Sequence, residues 1–362
     1  MSITQKEIGD RLGLSRQTVG FALSDESWAQ NQLRPETRDL VLKTARKLGY
    51  VPHFGARRMA LTRSTSRGAN FDQVGLISLI GADEYVDVAC HAMMGGAEHE
   101  LSKLHASLTF VRVNAPEDWS KVERLTRAGG VDGWLLYGAV DDGVVNRLEA
   151  GQLPYVILGD HRCTKPVASA QIDYVGVGRL AVQHLASLGH RRIACLQTNQ
   201  KLGYRRRMLE GFRAAIQELG LDDEERLILT PPDPYKDHWF KARIESCRDA
   251  GLMPTAMFIP HSDVGAVWDV LKELHLDVPK DISVLPCEHV TFAATHQNFT
   301  RIEVSVAEVG RQGALLLHKL ASQARVESKE VWIHPILIQG WSVCPPGQLE
   351  PKPNKETKGE ST

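Results

Sequence analysis

The chain has 362 residues, of which 43% are hydrophobic, enough for two or three domains that each bury a core. No run approaches the roughly 20 apolar residues of a membrane helix, and the polar N-terminus lacks the apolar centre of a secretory signal, so we expect a cytoplasmic protein with no membrane partner. The net charge of −1 is unevenly spread, because residues 1–67 hold 12 Lys/Arg and 6 Asp/Glu whereas the remainder holds 31 and 38.

The first residues predict two short helices joined by a tight turn. Thr4 and Glu7 have the spacing of a capping box, which favours a helix that begins at residue 5. Gly13 is suited to end that helix, and Ser15 to cap a second helix that runs from Arg16 to about Ser24. This pattern is typical of a helix-turn-helix unit, whose second helix enters the major groove of DNA. A basic helical bundle without a DNA role is the alternative.

A third helix and a basic segment follow. Pro35 suits a first helical position, and Val41, Ala45 and Leu48 share one face, so the third helix is expected to complete a small core. Residues 54–61 then combine arginines with apolar residues, and a polar linker comes next. The excess of positive charge in this region indicates a polyanionic partner.

From Val74 onward the sequence predicts parallel sheets. Short continuous apolar runs are typical of strands that are buried on both faces, and they lie at residues 74–80, 108–113, 134–137, 155–158, 193–196, 256–259 and 282–285. Amphipathic stretches such as residues 208–219 lie between them, which indicates alternating strands and helices. The number of units favours two similar lobes, with a ligand bound beyond the carboxyl ends of the strands.

Residues 8–19, Ile-Gly-Asp-Arg-Leu-Gly-Leu-Ser-Arg-Gln-Thr-Val, resemble the DNA-binding head of the lactose-repressor (LacI/GalR) family. Further stretches of the head match in register, at residues 36–38, 48–52 and 56–57, and the match continues in the body at residues 131–133, 180–185, 188–194, 211–213 and 278–284. The resemblance implies an α-helical helix-turn-helix head followed by a periplasmic-binding-protein-like α/β body with two parallel-sheet lobes. It also implies a dimer that binds a double-stranded DNA operator and a small-molecule effector.

The resemblance also implies domain boundaries. The DNA-binding domain spans residues 1–53, a hinge helix and linker residues 54–73, and the two-lobed domain residues 74–344. Residues 345–362 are rich in Pro, Lys and Glu, so we expect a disordered tail. The tail has no leucine heptads, and a tetramer built by it is not expected.

The resemblance assigns DNA contacts to nine residues of the head, namely Ser15, Arg16, Gln17, Thr18, Phe21, His53, Arg57, Arg58 and Met59. Arg16 and Gln17 would read base edges in the major groove. Met59 would insert into the minor groove and kink the duplex. Phe21 stands where the family often has Arg, and since Phe donates no hydrogen bond, we expect a different operator preference.

The effector site departs from the family. Met208 occupies the position of the family's ligand-binding Arg. The neighbouring Arg205, Arg206 and Arg207 are out of register with it, and a solvated basic surface is favoured over the alternative of a ligand contact. Acidic pairs that follow two strands are also replaced, which argues against a typical sugar effector. The candidate effector-binding residues are Asp87, Asp173, Tyr235, Trp239, His261, Glu288 and His289.

Two other classes of protein fit parts of the sequence. Residues 176–181 fit the G-x-G-x-x-A pattern of a dinucleotide-binding enzyme, but the next strand ends without the acidic residue that would hold a ribose. No catalytic triad stands out, and the six cysteines lack zinc-ligand spacing, so we expect reduced thiols and neither a cofactor nor a metal. A soluble ligand-binding protein without a promoter role fits the body but not the basic head.

Overall fold

The computed structural model describes residues 4–23, 32–48, 71–80, 84–196, 203–221, 227–230, 239–260, 264–288 and 298–347, with the side chains of residues 46, 84–87 and 288 excepted. The chain divides into two compact units. One unit, the head, holds residues 1–68, and the other, the body, holds nearly all of residues 69–362. The finer boundaries at residues 53, 73 and 344 stay predictions.

The head contains the three predicted helices, α1 (Gln5–Leu12), α2 (Arg16–Ala22) and α3 (Pro35–Lys47). Helix α2 ends at Ala22, slightly earlier than predicted, since Leu23 already has the conformation of a cap. Apolar residues spaced at three and four positions along each helix meet in one small core, which consists of Ile8, Val19, Ala22, Val41 and Ala45. The periodicity of the apolar residues therefore fixes which faces of the helices point outward.

The body alternates strands and helices. Its first part contains β1 (Gln73–Leu79), α4 (Glu84–Lys103), β2 (Ser107–Arg112), α5 (Trp119–Arg127), β3 (Gly133–Gly138), α6 (Asp142–Glu149), β4 (Tyr155–Leu158) and β5 (Ser169–Ile172). Its second part contains α7 (Tyr174–Ser187), β6 (Ile193–Leu196), α8 (Gly203–Glu218), β7 (Ile228–Leu229), α9 (Trp239–Asp249), β8 (Ala256–Ile259), α10 (Val264–Glu273), β9 (Ser283–Glu288) and β10 (Arg301–Glu303). The last elements are α11 (Val306–Ala321), β11 (Glu330–Ile333) and β12 (Ile336–Ile338).

The strands form two six-stranded sheets, which define two lobes. The sheet of the first lobe has the order β11-β5-β4-β3-β1-β2 and is parallel throughout. The sheet of the second lobe has the order β12-β10-β9-β8-β6-β7, and only β12 runs antiparallel to its neighbour. The two parallel α/β lobes that the sequence predicts are confirmed.

Helices cover both faces of each sheet, which explains the continuous apolar runs. In β3, Leu135 belongs to the apolar cluster on one face of the sheet, whereas Trp134 and Leu136 belong to the cluster on the other. In β8, Phe258 and Met257 divide in the same way. A strand of this kind favours apolar residues at successive positions, because neither face meets water.

Within the described residues, the chain crosses between the lobes three times. It leaves the first sheet after β5 at Asp173, returns between β10 and α11 at residues 304–305, and leaves again between β11 and β12 at residues 334–335. Two crossings are in contact, because His334 Nδ1 lies 3.3 Å from Asp173 Oδ2. Since the connections run side by side, the carboxyl ends of several strands from both lobes face one cleft.

Candidate functional site

Capping residues fix both ends of α1 and the start of α2 in the helix-turn-helix unit. Thr4 Oγ1 accepts a hydrogen bond from Glu7 N, and the Glu7 carboxylate accepts one from Thr4 N at 2.6 Å, which lowers the pKa of Glu7. Gly13 closes α1 with φ of 65°, a left-handed backbone that glycine adopts without strain. Ser15 Oγ then accepts from Thr18 N at 3.0 Å and begins α2. These contacts fix where α2 starts.

The first turn of α2 presents polar side chains to the surface. Ser15, Arg16 and Gln17 are exposed and Thr18 is half-buried, whereas Val19 is fully buried against the core. An exposed, polar first turn is the part of a recognition helix that reaches base edges. Arg presents a planar fork of donors and Gln presents both a donor and an acceptor, so both side chains can make bidentate contacts with a base.

The other predicted DNA contacts divide into two groups. Phe21 lies one turn further along α2 and is half-buried. His53, Arg57, Arg58 and Met59 lie outside the described residues, so the predicted hinge helix and its minor-groove contact stay predictions.

The cleft between the lobes contains an ion pair that joins them. Asp160 follows β4 in the first lobe, and Arg207 lies on α8 in the second. Arg207 Nη1 donates a hydrogen bond to Asp160 Oδ1 at 2.7 Å, and the guanidinium lies 5.4 Å from the centre of the Trp332 ring. The interpretation of Arg207 as part of a solvated basic surface is therefore wrong, because it is held by a carboxylate and an aromatic ring of the opposite lobe. Of the three arginines, Arg206 is the exposed one.

Tyrosines and a buried amide surround this pair. The rings of Tyr174 and Tyr204 are 5.3 Å apart, and burial, together with the charge of Asp160, raises the pKa of Tyr174 well above its ordinary value. Next to Asp160, the pKa of His161 is lowered because burial penalises the imidazolium. His161 Nε2 lies 3.4 Å from the side-chain amide nitrogen of Gln171, which is buried. The cleft therefore offers one charged pair among neutral hydrogen-bonding groups and aromatic rings.

Two of the predicted effector-binding residues have described side chains. Asp173 caps α7, since its Oδ1 accepts from Gly176 N at 2.7 Å while its Oδ2 faces His334. Trp239 packs at the start of α9 against an apolar cluster of the second lobe. Both side chains thus have structural partners, and a role in binding stays a prediction for each.

The remaining predicted effector-binding residues are beyond what the structure describes. The side chains of Asp87 and Glu288 are not described, and Tyr235, His261 and His289 lie outside the described residues. The sequence interpretation did not include Asp160 and Trp332. Asp160 could have been found, since it comes two residues after a buried strand, at the carboxyl edge where ligands bind.

The dinucleotide-like glycines have a packing role. Residues 176–181 lie inside α7, and a Cβ atom at Gly178 would overlap the carbonyl oxygen of Met208 on α8. Gly178 thus allows two helices to approach closely. Among the described residues, no group of three His, Cys, Asp or Glu side chains could hold a metal ion, and no described helix is long and apolar enough to span a bilayer.

The six cysteines are free thiols. Four of them are buried, and their side chains fill the core as the sequence interpretation expected; they are Cys90, Cys195, Cys247 and Cys287. Burial raises the pKa of Cys195 to about 12, which keeps this thiol protonated and unreactive at neutral pH.

Known proteins resemble both parts of this chain. A family model described as a periplasmic binding protein-like domain matches residues 182–343. The HTH-type transcriptional regulator AglR of Rhizobium meliloti (strain 1021) is 25% identical over 368 residues, covering 98% of each chain.

Two solved structures show the same fold. A lac repressor dimer bound to operator and the anti-inducer ONPF has a TM-score of 0.68 and 20% identity, covering 95% of this chain and 100% of the other. A complex of the transcriptional regulator CelR with cellobiose has a TM-score of 0.58 and 23% identity, covering 94% of this chain and 99% of the other. Over nearly its whole length the chain is thus similar to an HTH-type transcriptional regulator, and it shares the fold of the lac repressor and of CelR.

Proposed function

We propose that the chain is a dimeric repressor that binds a near-palindromic DNA operator. A small molecule that binds in the cleft of the body would change its affinity for the operator. The exposed first turn of α2 is the observation that carries this proposal. Arg16 and Gln17 are held outward there by the Ser15 cap and by the burial of Val19. In a symmetric dimer, two such helices would read two half-sites one helical turn apart.

The basic character of the head supports a DNA partner. Its excess of Lys and Arg over Asp and Glu would attract phosphates and give a binding component that does not depend on sequence. Arg57 and Arg58 would add phosphate or minor-groove contacts, His53 would also contact DNA, and Met59 would insert between base pairs. Sequence preference would then come mainly from Arg16 and Gln17.

The cleft of the body is the proposed effector site. It lies beyond the carboxyl ends of parallel strands and contains a carboxylate and an indole ring, which together can bind and orient a small polar molecule. Among the relatives, CelR was solved with cellobiose and the lac repressor with operator and ONPF. A ligand that favours one closure angle of the lobes would change the affinity for DNA. DNA would change the affinity for that ligand by the same factor, because the coupling free energy is reciprocal.

Selection of genomic fragments by the purified chain tests the proposal. Full-length protein should enrich a small set of fragments that share a near-palindromic sequence, and a variant that carries Arg16→Ala and Gln17→Ala should lose this enrichment while still retaining DNA at low salt. If the variant enriches the same fragments, α2 does not read the sequence. If the wild type enriches none, the body acts as a ligand-binding protein without a direct promoter role.

A further inference from the structure

Asp160 of the first lobe and Arg207 of the second lobe are joined by a hydrogen bond across the cleft. Both side chains are about 30% exposed, so water reaches the pair but does not fully screen it. The hydrogen bond of 2.7 Å joins two charged groups and belongs to the stronger class of such bonds.

Two neighbours on opposite lobes reinforce the pair. Asp160 Oδ2 faces the first turn of α8, where a Cβ atom at Gly203 would lie 3.4 Å away. The N-terminus of a 16-residue helix carries partial positive charge, which stabilises a carboxylate there. On the other side, the Trp332 ring supports the guanidinium of Arg207 through a cation–π contact.

The same surfaces would be attractive to a ligand. A ring-shaped polar molecule would use the Trp332 face for stacking and the Asp160 carboxylate for a hydrogen bond, and both are occupied by Arg207. Arg207 and such a ligand would therefore compete for the same contacts.

We propose that Arg207 is an internal latch, which holds the two lobes together through Asp160 and Trp332 until a ligand displaces it. Small rotations about the three crossings would change the angle between the lobes, and the contact of Arg207 with Asp160 would oppose such rotations. The effect of the latch on transcription rests on the proposed function, whereas the latch itself is a property of the body.

Small-angle X-ray scattering on the full chain without ligand tests the latch. Arg207→Gln and Asp160→Asn should each increase the radius of gyration and the longest distances within the particle, at unchanged oligomeric state. Arg207→Lys keeps the charge and should remain close to the wild type. The double variant should be no more open than either single variant, because each substitution breaks the same contact.

The matched control is Arg179→Gln. Arg179 pairs with Glu218 at 2.9 Å, but both residues belong to the second lobe, so loss of this pair should leave the scattering unchanged. Raising the salt concentration should open the wild type and have little effect on Arg207→Gln.

Two results would overturn the latch. One is scattering of Arg207→Gln and Asp160→Asn that matches the wild type, with unfolding curves showing that both variants are folded. The other is equal opening in Arg179→Gln. Neither result would touch the proposed function, because DNA selection by the head is measured separately. Failure of DNA selection with an intact response to Arg207→Gln would instead reject the regulator and keep the latch.

Discussion

At the scale of single residues, the orientation of α2 follows from where its apolar side chains lie. Val19 and Ala22 are three positions apart and both point into the core of the head. Arg16 and Gln17 are consequently directed outward, and the Ser15 cap fixes their position along the helix axis. A change at Gln17 should therefore alter what the head binds without altering how the head folds.

Gln17→Ala should weaken binding to the selected fragment by about 1–3 kcal/mol, because a bidentate contact with a base is lost. Binding to a scrambled duplex should stay the same, since it depends on phosphate contacts. Fluorescence anisotropy titrations at one salt concentration measure both affinities. Gln32→Ala is the matched control, because Gln32 is an exposed head residue outside α2. An equal loss on both duplexes would show that Gln17 does not read bases.

The buried side chain of His190 connects residues near the C-terminal end of the body with the second lobe. His190 is 2% exposed, with its Nδ1 2.9 Å from Thr255 Oγ1 and its Nε2 2.9 Å from the carbonyl oxygen of Cys344. Burial lowers the pKa of His190. In the unfolded chain the imidazole titrates near its ordinary pKa of about 6.5, so the unfolded state binds more protons below that pH. Stability should therefore fall as the pH falls from 7 to 5.

His190→Leu should lower the free energy of unfolding at pH 7 by about 1–3 kcal/mol, because the Cys344 carbonyl loses a donor and Thr255 loses a partner. The decrease in stability between pH 7 and 5 should also become smaller than in the wild type. Urea unfolding at the two pH values measures both effects. His99→Leu, at an exposed site on α4, should change neither. An unchanged pH dependence in His190→Leu would contradict the assignment.

At the scale of elements, the approach of α7 to α8 depends on glycine. A Cβ atom at Gly178 would overlap backbone atoms of Met208 and Phe212, and one at Gly211 would overlap the carbonyl oxygen of Val175. Backbone atoms in a helix cannot move aside as a flexible side chain can, so α7 and α8 would have to move apart. Because α8 also carries Arg207, this contact helps to set the position of the latch.

Gly178→Ala should therefore destabilise the body by about 1–3 kcal/mol, the usual cost of overpacking. Gly265→Ala is the matched control, since Gly265 lies in α10 with no atom within 4 Å of an added Cβ. That change should stabilise the protein by up to about 1 kcal/mol, because alanine favours a helix. Urea unfolding compares the two variants. Equal effects would mean that the α7–α8 contact can relax at no cost.

The sequence predicted those strands that consist of a continuous run of apolar residues. Runs such as residues 155–158 and 256–259 are uniformly apolar, and both strands were predicted with their observed bounds. Strand β5 was not predicted, because Ser169 and Gln171 are polar. In the structure both are buried and satisfy one another, since Gln171 Nε2 donates to Ser169 Oγ at 2.9 Å. Because two of the four residues of β5 are polar, the strand has no continuous apolar run by which it could be predicted.

The contact at the centre of the cleft could not be predicted from local patterns. Asp160 and Arg207 are 47 positions apart and meet only because the chain crosses between lobes after β5. Trp332 joins them from the far end of the chain. The family comparison directed attention to Met208, one position from the arginine that reaches the opposite lobe. A shift of one position on a helix rotates a side chain by about 100°, so register alone could not identify Arg207.

At the scale of the whole molecule, charge and fold divide the chain in the same way. The basic first part contains the helix-turn-helix, and the acidic remainder contains the two lobes. The two parts suit different partners, a polyanion for the first and a small molecule for the second. We propose that lobe closure links the two parts, and that the full chain recognises a particular DNA sequence.

The most direct test is the affinity of the purified full chain for its best-enriched genomic fragment and for a scrambled fragment of equal length, at physiological salt. We expect at least about a 1,000-fold preference for the enriched fragment, which is the lower end of the range for specific regulators. A footprint on that fragment should show two related half-sites about one helical turn apart. Equal affinity for the two fragments would contradict the proposal that the chain recognises a particular DNA sequence.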